Sequence, residues 1–150
     1  MGTEKIMKVL QQYESVGIDT MAFIYHFEGN PKYLQFTNSL FGSIENGELK
    51  GVASIITLLE VLVRPKKEKQ EELANKYKFV LTTFPNLKLV TIDLPIVEKA
   101  AELRANFNLR VPDAIQIATA IVNHAEAFIT NDQKVRRISE IDILIIREMI

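Results

Sequence analysis

The sequence predicts an α/β fold in which helices cover both faces of a central, mainly parallel sheet, as a three-layer α/β/α sandwich. Two observations predict it. Short apolar runs suited to strands alternate along the chain with longer segments whose apolar residues recur at helical spacing. The 150 residues also suit one domain, expected over 1–150, since the sequence holds no repeat or linker that would divide it.

In the first half of the chain, helices are expected where apolar residues recur every three or four positions, over residues 4–13, 20–28 and 32–46. The first helix belongs to an N-terminal extension, residues 1–15. Thr20 is expected at the N-cap of the second helix, which stops at Gly29-Asn30-Pro31. Strands are expected over residues 15–19 and 50–54.

The second half continues the alternation. An apolar segment at 55–63 carries Glu60 in its middle and is expected to end at Arg64-Pro65. Asp93 and Pro95 fit the start of a helix, and Pro112 opens another that is apolar nearly all round and therefore buried. The remaining expected elements are helices at 66–83 and 93–107, strands at 87–92, 125–130 and 141–147, and helical turns at 133–139.

Composition excludes several classes of protein. The chain has no cysteine, so disulfides, thiolate metal sites and cysteine nucleophiles are ruled out. No run has the apolar length of a signal peptide or of a membrane span of roughly 20 residues, so we expect a cytoplasmic protein without membrane contact. A net charge of -1 predicts that any nucleic-acid contact is local. Glycine-rich phosphate loops and a G-x-S-x-G elbow are absent, and the two histidines lack metal-ligand spacing.

Four acidic residues stand at places where function is expected. Asp19 ends the first strand, Asp132 follows the fourth, and Asp113 opens the buried helix between them. Ligands of open parallel sheets bind outside the carboxyl ends of the strands, which makes these positions candidates. Glu60 lies within TLLEVLV, an apolar helical stretch where an unpaired carboxylate costs about several kcal/mol.

Each acid also has a structural interpretation. Asp19 suits a helix N-cap, Asp113 suits the positive end of a helix dipole, and Asp132 in Asn131-Asp132 suits a turn. Glu60 could pair with Arg64, one helical turn later.

Together, four converging carboxylates would repel one another unless they share protons or bind divalent cations. Oxygen ligands without histidine or cysteine suit Mg²⁺ or Mn²⁺, which can clamp a phosphodiester and activate water. Thr20, Thr130 and Asn131 supply hydroxyl and amide groups beside the acids and are expected to support them.

The four motifs GIDTMAFIYHF, ITLLEVLVRP, VPDAIQIATA and ITND, in this order, resemble the PIN domain family, and within it the small VapC-type toxin ribonucleases. The resemblance covers nearly the whole chain from Val16 onward. It implies a pocket in which Asp19, Glu60, Asp113 and Asp132 bind Mg²⁺ or Mn²⁺ and cleave single-stranded RNA. It also implies a homodimer and a small antitoxin protein in a groove near the acids.

Two features depart from the family pattern. Met21 stands where a small polar residue is common, and residues 1–15 precede the first strand. Neither departure removes any of the four acids.

Affinity for RNA must come from cations around an acidic pocket. Several lysines and arginines flank the motif loops, and Arg64, Lys66, Arg110 and Lys134 are the expected phosphate contacts, although each also suits a solvated surface. Two other functions stay open: a non-catalytic module that binds RNA or a protein, and a phospho-acceptor signalling domain with Asp93 as acceptor.

Overall fold

The centre of the protein, described over residues 2–150 by a computed structural model, is a parallel sheet. In the described residues it has five strands, β1 (Ser15–Ile18), β2 (Lys50–Ser54), β3 (Leu87–Val90), β4 (Ala127–Thr130) and β5 (Asp142–Ile145). Their order across the sheet is β3-β2-β1-β4-β5, and all four neighbouring pairs are parallel. The predicted α/β/α sandwich with a mainly parallel sheet is therefore confirmed.

Helices connect the strands. They are α1 (Gly2–Leu10), α2 (Thr20–Phe27), α3 (Leu34–Glu45), α4 (Ile55–Lys67), α5 (Glu71–Thr83), α6 (Leu94–Phe107), α7 (Val111–Val122) and α8 (Ile146–Met149), with a 3₁₀ helix at Gln133–Arg137. None of the helices within residues 2–150 combines the length and the apolar character needed to cross a membrane.

The three layers follow from the alternation of side chains along the strands. In β1, Val16 and Ile18 face one side of the sheet, where they pack in a core with α1 to α5 and α8. In β4, Phe128 faces the other side and packs in a second core with α6 and α7. Both faces of the central strands are buried, which explains why their sequences are continuously apolar.

Some predicted boundaries are wrong. Pro65 does not end its helix: α4 continues to Lys67, because the buried ring of Pro65 packs within the last turn and Glu68 N–H still bonds to Arg64 C=O at 3.0 Å. The chain leaves the helix at Lys69, whose φ is 55°.

Three further boundaries shift by less. Asp19, not Thr20, is the N-cap residue of α2. Helix α5 begins at Glu71, later than the predicted residue 66. The last strand stops at Ile145, and the following helical turn, α8, buries both Ile146 and Met149.

Helix α7 packs directly against β1 at Gly17. A Cβ added at Gly17 would lie 2.4 Å from the Cβ of Ala120, closer than packed atoms approach. Glycine at this position therefore lets α7 rest directly on the strand. This contact fixes α7, whose first turn carries Asp113, against the strand that leads to Asp19.

Candidate active site

The neighbouring positions of β1 and β4 bring two of the predicted acids to one crevice. The chain runs from β1 outward to β2 and β3, then returns to place β4 and β5 on the other side of β1. The strand order therefore reverses between β1 and β4, where open parallel sheets bind their ligands. Asp19 follows β1 and bonds through its N–H to Ile129 C=O of β4 at 2.9 Å, while Asp132 lies just beyond β4.

An open cleft of about 1220 Å³ lies at this edge of the sheet. Its lining includes all four predicted acids and two of the predicted supporting residues: Asp19, Glu60, Asp113, Asp132, Thr20 and Asn131. Four separate elements thus deliver carboxylates to one cleft.

Asp19 is a half-buried acid of the cleft. Although it is the N-cap residue of α2, its carboxylate makes no capping bond to that helix within the described chain. Its Oδ2 instead accepts from the Thr130 hydroxyl at 2.6 Å, and the same hydroxyl accepts from Asp132 N–H at 3.0 Å. Burial raises the pKa of Asp19 to about 6, the Thr130 hydrogen bond opposes that rise, and the negative charges of Asp113 and Glu60 add to it.

Glu60 is held by hydrogen bonds. Its Oε1 accepts from the Thr20 hydroxyl at 2.6 Å and from Gln116 Nε2 at 3.0 Å. Arg64, the structural alternative, pairs with Glu28 at 3.0 Å and with Glu68 on the surface. Glu60 therefore belongs to the cleft.

Asp113 forms a two-pronged ion pair with Arg110, three residues earlier. Arg110 Nε lies 2.9 Å from Oδ2 and Nη2 lies 3.2 Å from Oδ1. The Asp113 side chain is 20% exposed and that of Arg110 is 78% exposed, so the guanidinium covers the acid from the solvent side. The pair raises the pKa of Arg110, mainly through its hydrogen bonds to Asp113.

Asp132 has the turn role that its sequence suggested. Its Oδ1 accepts from Lys134 N–H at 2.9 Å and caps the 3₁₀ helix. Asn131 beside it is also fixed: its Nδ2 donates to Tyr25 Oη at 3.2 Å, and its Oδ1 accepts from Arg147 N–H at 3.0 Å. This amide connects α2 to the start of α8.

Basic side chains line one part of the cleft. Arg110 and Lys134, both predicted, lie there with Arg137 and Arg147. The sequence reasoning did not single out Arg147, although its place just after the last strand was a usable signal. Two other predicted cations are not part of the cleft lining.

Arg64 lines a neighbouring groove between α2, α4 and α5, and Lys66 pairs with Glu71 at 3.3 Å. Arg64 and Lys66, which follow the apolar part of α4, thus form ion pairs on the protein surface.

The donor set of the cleft suits a hard divalent cation, because carboxylate oxygens are the ligands that Mg²⁺ and Mn²⁺ prefer. Glu60 Oε2 and Asp132 Oδ2 accept no hydrogen bond from residues 2–150, which leaves each a lone carboxylate oxygen. Across the same residues, no three histidine or acidic side chains converge as a preformed metal cluster. The chemistry of the donors fits a metal, and Asp113 would have to exchange its guanidinium partner for one.

Gln116 is a site residue that the sequence reasoning missed. It lies on the apolar face of α7, where its spacing is that of a core residue, yet its amide reaches both Thr20 and Glu60. The signal available in the sequence was one amide side chain among the alanines and isoleucines of this apolar helix.

Comparisons with known structures match the fold. A chain of a toxin-antitoxin complex from Klebsiella pneumoniae is 24% identical, with 88% of this chain and 97% of that chain covered and a TM-score of 0.66. Two other similar structures are a chain of VapBC2 from Rickettsia felis bound to a promoter DNA fragment and a chain of DNA-bound VapBC from Salmonella typhimurium. Their sequence identities to this chain are 19% and 18%, and their TM-scores are 0.68 and 0.63. They cover 87% and 89% of this chain, and 97% and 98% of their own.

No curated protein matches the sequence at a significant level. The family model of the PIN domain does match, over residues 16–141, a span that includes all four acids. The cleft at the carboxyl edge of the sheet is therefore that of a protein that belongs to the PIN domain family.

Proposed function

We propose that this chain is a metal-dependent endoribonuclease that cleaves single-stranded RNA and acts as the cytoplasmic toxin of a toxin-antitoxin pair. One observation carries the proposal: four carboxylates from four elements line a single cleft in a PIN domain. Such a set is costly for stability, and a catalytic role for it explains why it is kept.

In this proposal Asp19, Glu60, Asp113 and Asp132 hold Mg²⁺ or Mn²⁺. The bound ion would activate water and neutralise charge on the scissile phosphodiester. Thr130 fixes the Asp19 carboxylate, as its 2.6 Å hydrogen bond indicates. Glu60 and Asp132 each keep one carboxylate oxygen without a hydrogen bond from residues 2–150, while their other oxygen is held by its surroundings.

Cations on the cleft wall offset the repulsion between acids and RNA. Arg110, Lys134, Arg137 and Arg147, which line the cleft, would hold phosphates of the bound RNA. Arg64 and Lys66 would reach only RNA that extends beyond the cleft. An open cleft of this kind accepts a flexible single strand more readily than a stiff duplex.

The proposed antitoxin occupies the second groove. This groove has a volume of about 540 Å³, is lined by apolar side chains such as Phe27, Leu73 and Tyr77, and shares Ile24 and Glu60 with the cleft. An amphipathic segment seated there would reach the acids directly. The partner proteins named with the similar structures support an antitoxin for this chain as well.

A homodimer is also proposed. Leu94 and Val97 lie one turn apart on α6 and are 70% and 50% exposed. Neighbouring exposed apolar side chains on one helix are typical of an interface between subunits.

The test is cleavage of a fluorescent single-stranded RNA with and without Mg²⁺ or Mn²⁺, alongside a duplex of the same sequence. The proposal expects metal-dependent cleavage of the single strand, lost in Asp19→Asn and in Asp113→Asn. Glu126→Gln is a matched control, since that acid lies at the opposite edge of the sheet and bonds to the Ser15 N–H. Cleavage that persists in both aspartate variants would refute the site.

A non-catalytic PIN module is the second candidate. The bidentate Arg110 partner of Asp113 favours it, because that acid already has a cation. Metal titration separates the two functions: a folded protein that binds RNA but no Mn²⁺ would be the module. Asp93, the acceptor of the signalling alternative, caps α6 by accepting from Ile96 N–H at 3.2 Å.

A further inference from the structure

Gln116 connects two elements of the cleft through one buried side chain. The residue is 4% exposed, its Oε1 accepts from Thr20 N–H at 3.0 Å, and its Nε2 donates to Glu60 Oε1 at 3.0 Å. The orientation of the amide follows from its partners, because a backbone N–H can only donate and therefore must face the oxygen. The NH₂ group is thus directed at the carboxylate.

The direction of the remaining hydrogen bonds follows in turn. The Thr20 hydroxyl lies 2.6 Å from Glu60 Oε1 and 3.0 Å from the Thr57 hydroxyl. Its single proton goes to the carboxylate, so Thr57 donates to Thr20. Glu60 Oε1 consequently receives two donors, one from α2 and one from α7, while its Oε2 accepts no hydrogen bond from residues 2–150.

This arrangement fixes a side chain that would otherwise move. A glutamate has three rotatable bonds, and holding one orientation costs conformational entropy. Arg64, the cation on the same helix, is turned to Glu28 and Glu68 and does not restrain Glu60. The restraint therefore comes from Thr20 and Gln116.

We infer that Gln116 is a positioning residue, which holds Glu60 Oε1 so that Oε2 is presented to a divalent cation in the cleft. This inference rests on the proposed nuclease function and deepens it. In this role Gln116 is not itself a ligand of the metal. Its effect on the site passes through Glu60 and through the start of α2.

The experiment is isothermal titration of the metal-free full chain with MnCl₂, using the wild type, Gln116→Met, Glu60→Gln and the double variant. Methionine keeps the length of the side chain and removes both hydrogen bonds. We expect Gln116→Met to weaken Mn²⁺ binding about 10- to 100-fold, the usual effect of losing such a partner. In Glu60→Gln the further Gln116→Met change should cost little, because both act through the same carboxylate.

Thr119→Val is the matched control. Thr119 is buried on the same helix, and its hydroxyl donates to Ile115 C=O at 2.7 Å, so this variant also loses a buried hydrogen bond. Circular dichroism and thermal unfolding of the metal-free proteins show whether each variant folds. If Gln116→Met does not fold, Gln116→Glu replaces it, since one carboxylate oxygen can still accept from Thr20 N–H while the other faces Glu60 and, when ionised, has no proton to donate.

The outcomes separate the two proposals. The positioning role is overturned, and the nuclease proposal stands, if a folded Gln116 variant binds Mn²⁺ with wild-type affinity. The same conclusion follows if Gln116→Met lowers the Mn²⁺ affinity by the same factor in the wild type and in Glu60→Gln. A folded wild type that binds no Mn²⁺ overturns both. An effect of Thr119→Val as large as that of Gln116→Met assigns the loss to general destabilisation and also overturns the inference.

Discussion

The Thr130 hydroxyl donates to Asp19 Oδ2 at 2.6 Å. The Thr130 hydroxyl oxygen also accepts from the backbone N–H of Asp132 at 3.0 Å, so one side chain contacts the acids that follow two neighbouring strands. Thr130 is itself buried, which protects both bonds from water. A single hydroxyl thereby connects two of the four acids.

Replacement of Thr130 by valine is expected to weaken Mn²⁺ binding about 10- to 100-fold, since Asp19 loses its donor and Asp132 N–H its acceptor. Thr130→Ser keeps the hydroxyl and should stay within a few-fold of wild type. Calorimetric titration with MnCl₂ measures both. Equal affinities in the valine and serine variants would show that the hydroxyl does not align the acids.

Ionisation of Asp19 should destabilise the metal-free protein. Its pKa rises from 3.8 to about 6 on folding, so the folded state binds a proton more tightly than the unfolded state. The resulting stabilisation is complete below pH 3.8 and is lost as the pH rises to about 6. The asparagine of Asp19→Asn cannot ionise, so this variant does not lose stability as the pH rises. Its free energy of unfolding at neutral pH should therefore exceed that of the wild type by on the order of 3 kcal/mol.

Urea unfolding of the wild type and Asp19→Asn between about pH 4 and about pH 8 checks this difference, which should grow with pH. Chelator must be present throughout, because bound Mg²⁺ would compensate the charge of the wild type. A difference that is constant over this range would contradict the raised pKa.

Arg110 should compete with metal for Asp113. Arg110→Met removes the competing cation, so we expect Mn²⁺ to bind about two- to five-fold more tightly, a modest change because the pair is solvent-exposed. RNA binding measured by fluorescence anisotropy should weaken in the same variant and lose part of its salt dependence. Arg136→Met, which removes the cation paired with Glu148, is the control. Weaker Mn²⁺ binding in Arg110→Met would contradict competition.

The close contact of β1 with α7 predicts a stability difference between two glycines. Gly17→Ala places a Cβ 2.4 Å from that of Ala120 and should destabilise the fold by about 1–3 kcal/mol. Gly42→Ala, on α3 with no atom within 4 Å of the added Cβ, should be stabilising by about 0.5–1 kcal/mol. Denaturant unfolding of both variants gives the comparison, and similar values for the two would refute the close packing.

The exposed apolar pair on α6 predicts the oligomeric state. Leu94→Glu should convert the proposed dimer into a monomer, because a carboxylate buried in an apolar interface is costly. Phe79→Glu is the control, as Phe79 is 67% exposed on α5. Light scattering after gel filtration measures the mass. A monomeric wild type would rule out the dimer, and a dimeric Leu94→Glu would place its interface elsewhere.

The sequence predicted the sheet and all four acids of the cleft because these depend on local patterns. Continuous apolar runs mark buried strands, and the carboxyl ends of parallel strands meet at one edge. Asp19 and Asp132 could therefore be placed together before any contact was known. Helix ends were less predictable: Pro65 lies inside α4 because its packing, which the sequence does not specify, offsets the missing N–H.

The hydrogen-bond partners in the cleft depend on long-range contacts. Gln116 is 56 residues from Glu60 and 96 from Thr20, so its spacing on α7 predicted only a core position. Arg110 is a local case, since its exposed side chain turns back to Asp113, three residues later, instead of extending to solvent. The sequence patterns identified the charged residues of the cleft, whereas the folded structure determines which of them are paired.

The order of the strands has a consequence during synthesis. Strand β1, which leads to Asp19, is paired on one side with β2 and on the other with β4, whose residues emerge from the ribosome more than a hundred positions later. Until β4 is made, β1 is an open edge and Asp19 has neither Thr130 nor its neighbour Asp132. A truncated or nascent chain thus lacks the cleft, so any activity of this cleft can begin only when translation is nearly complete.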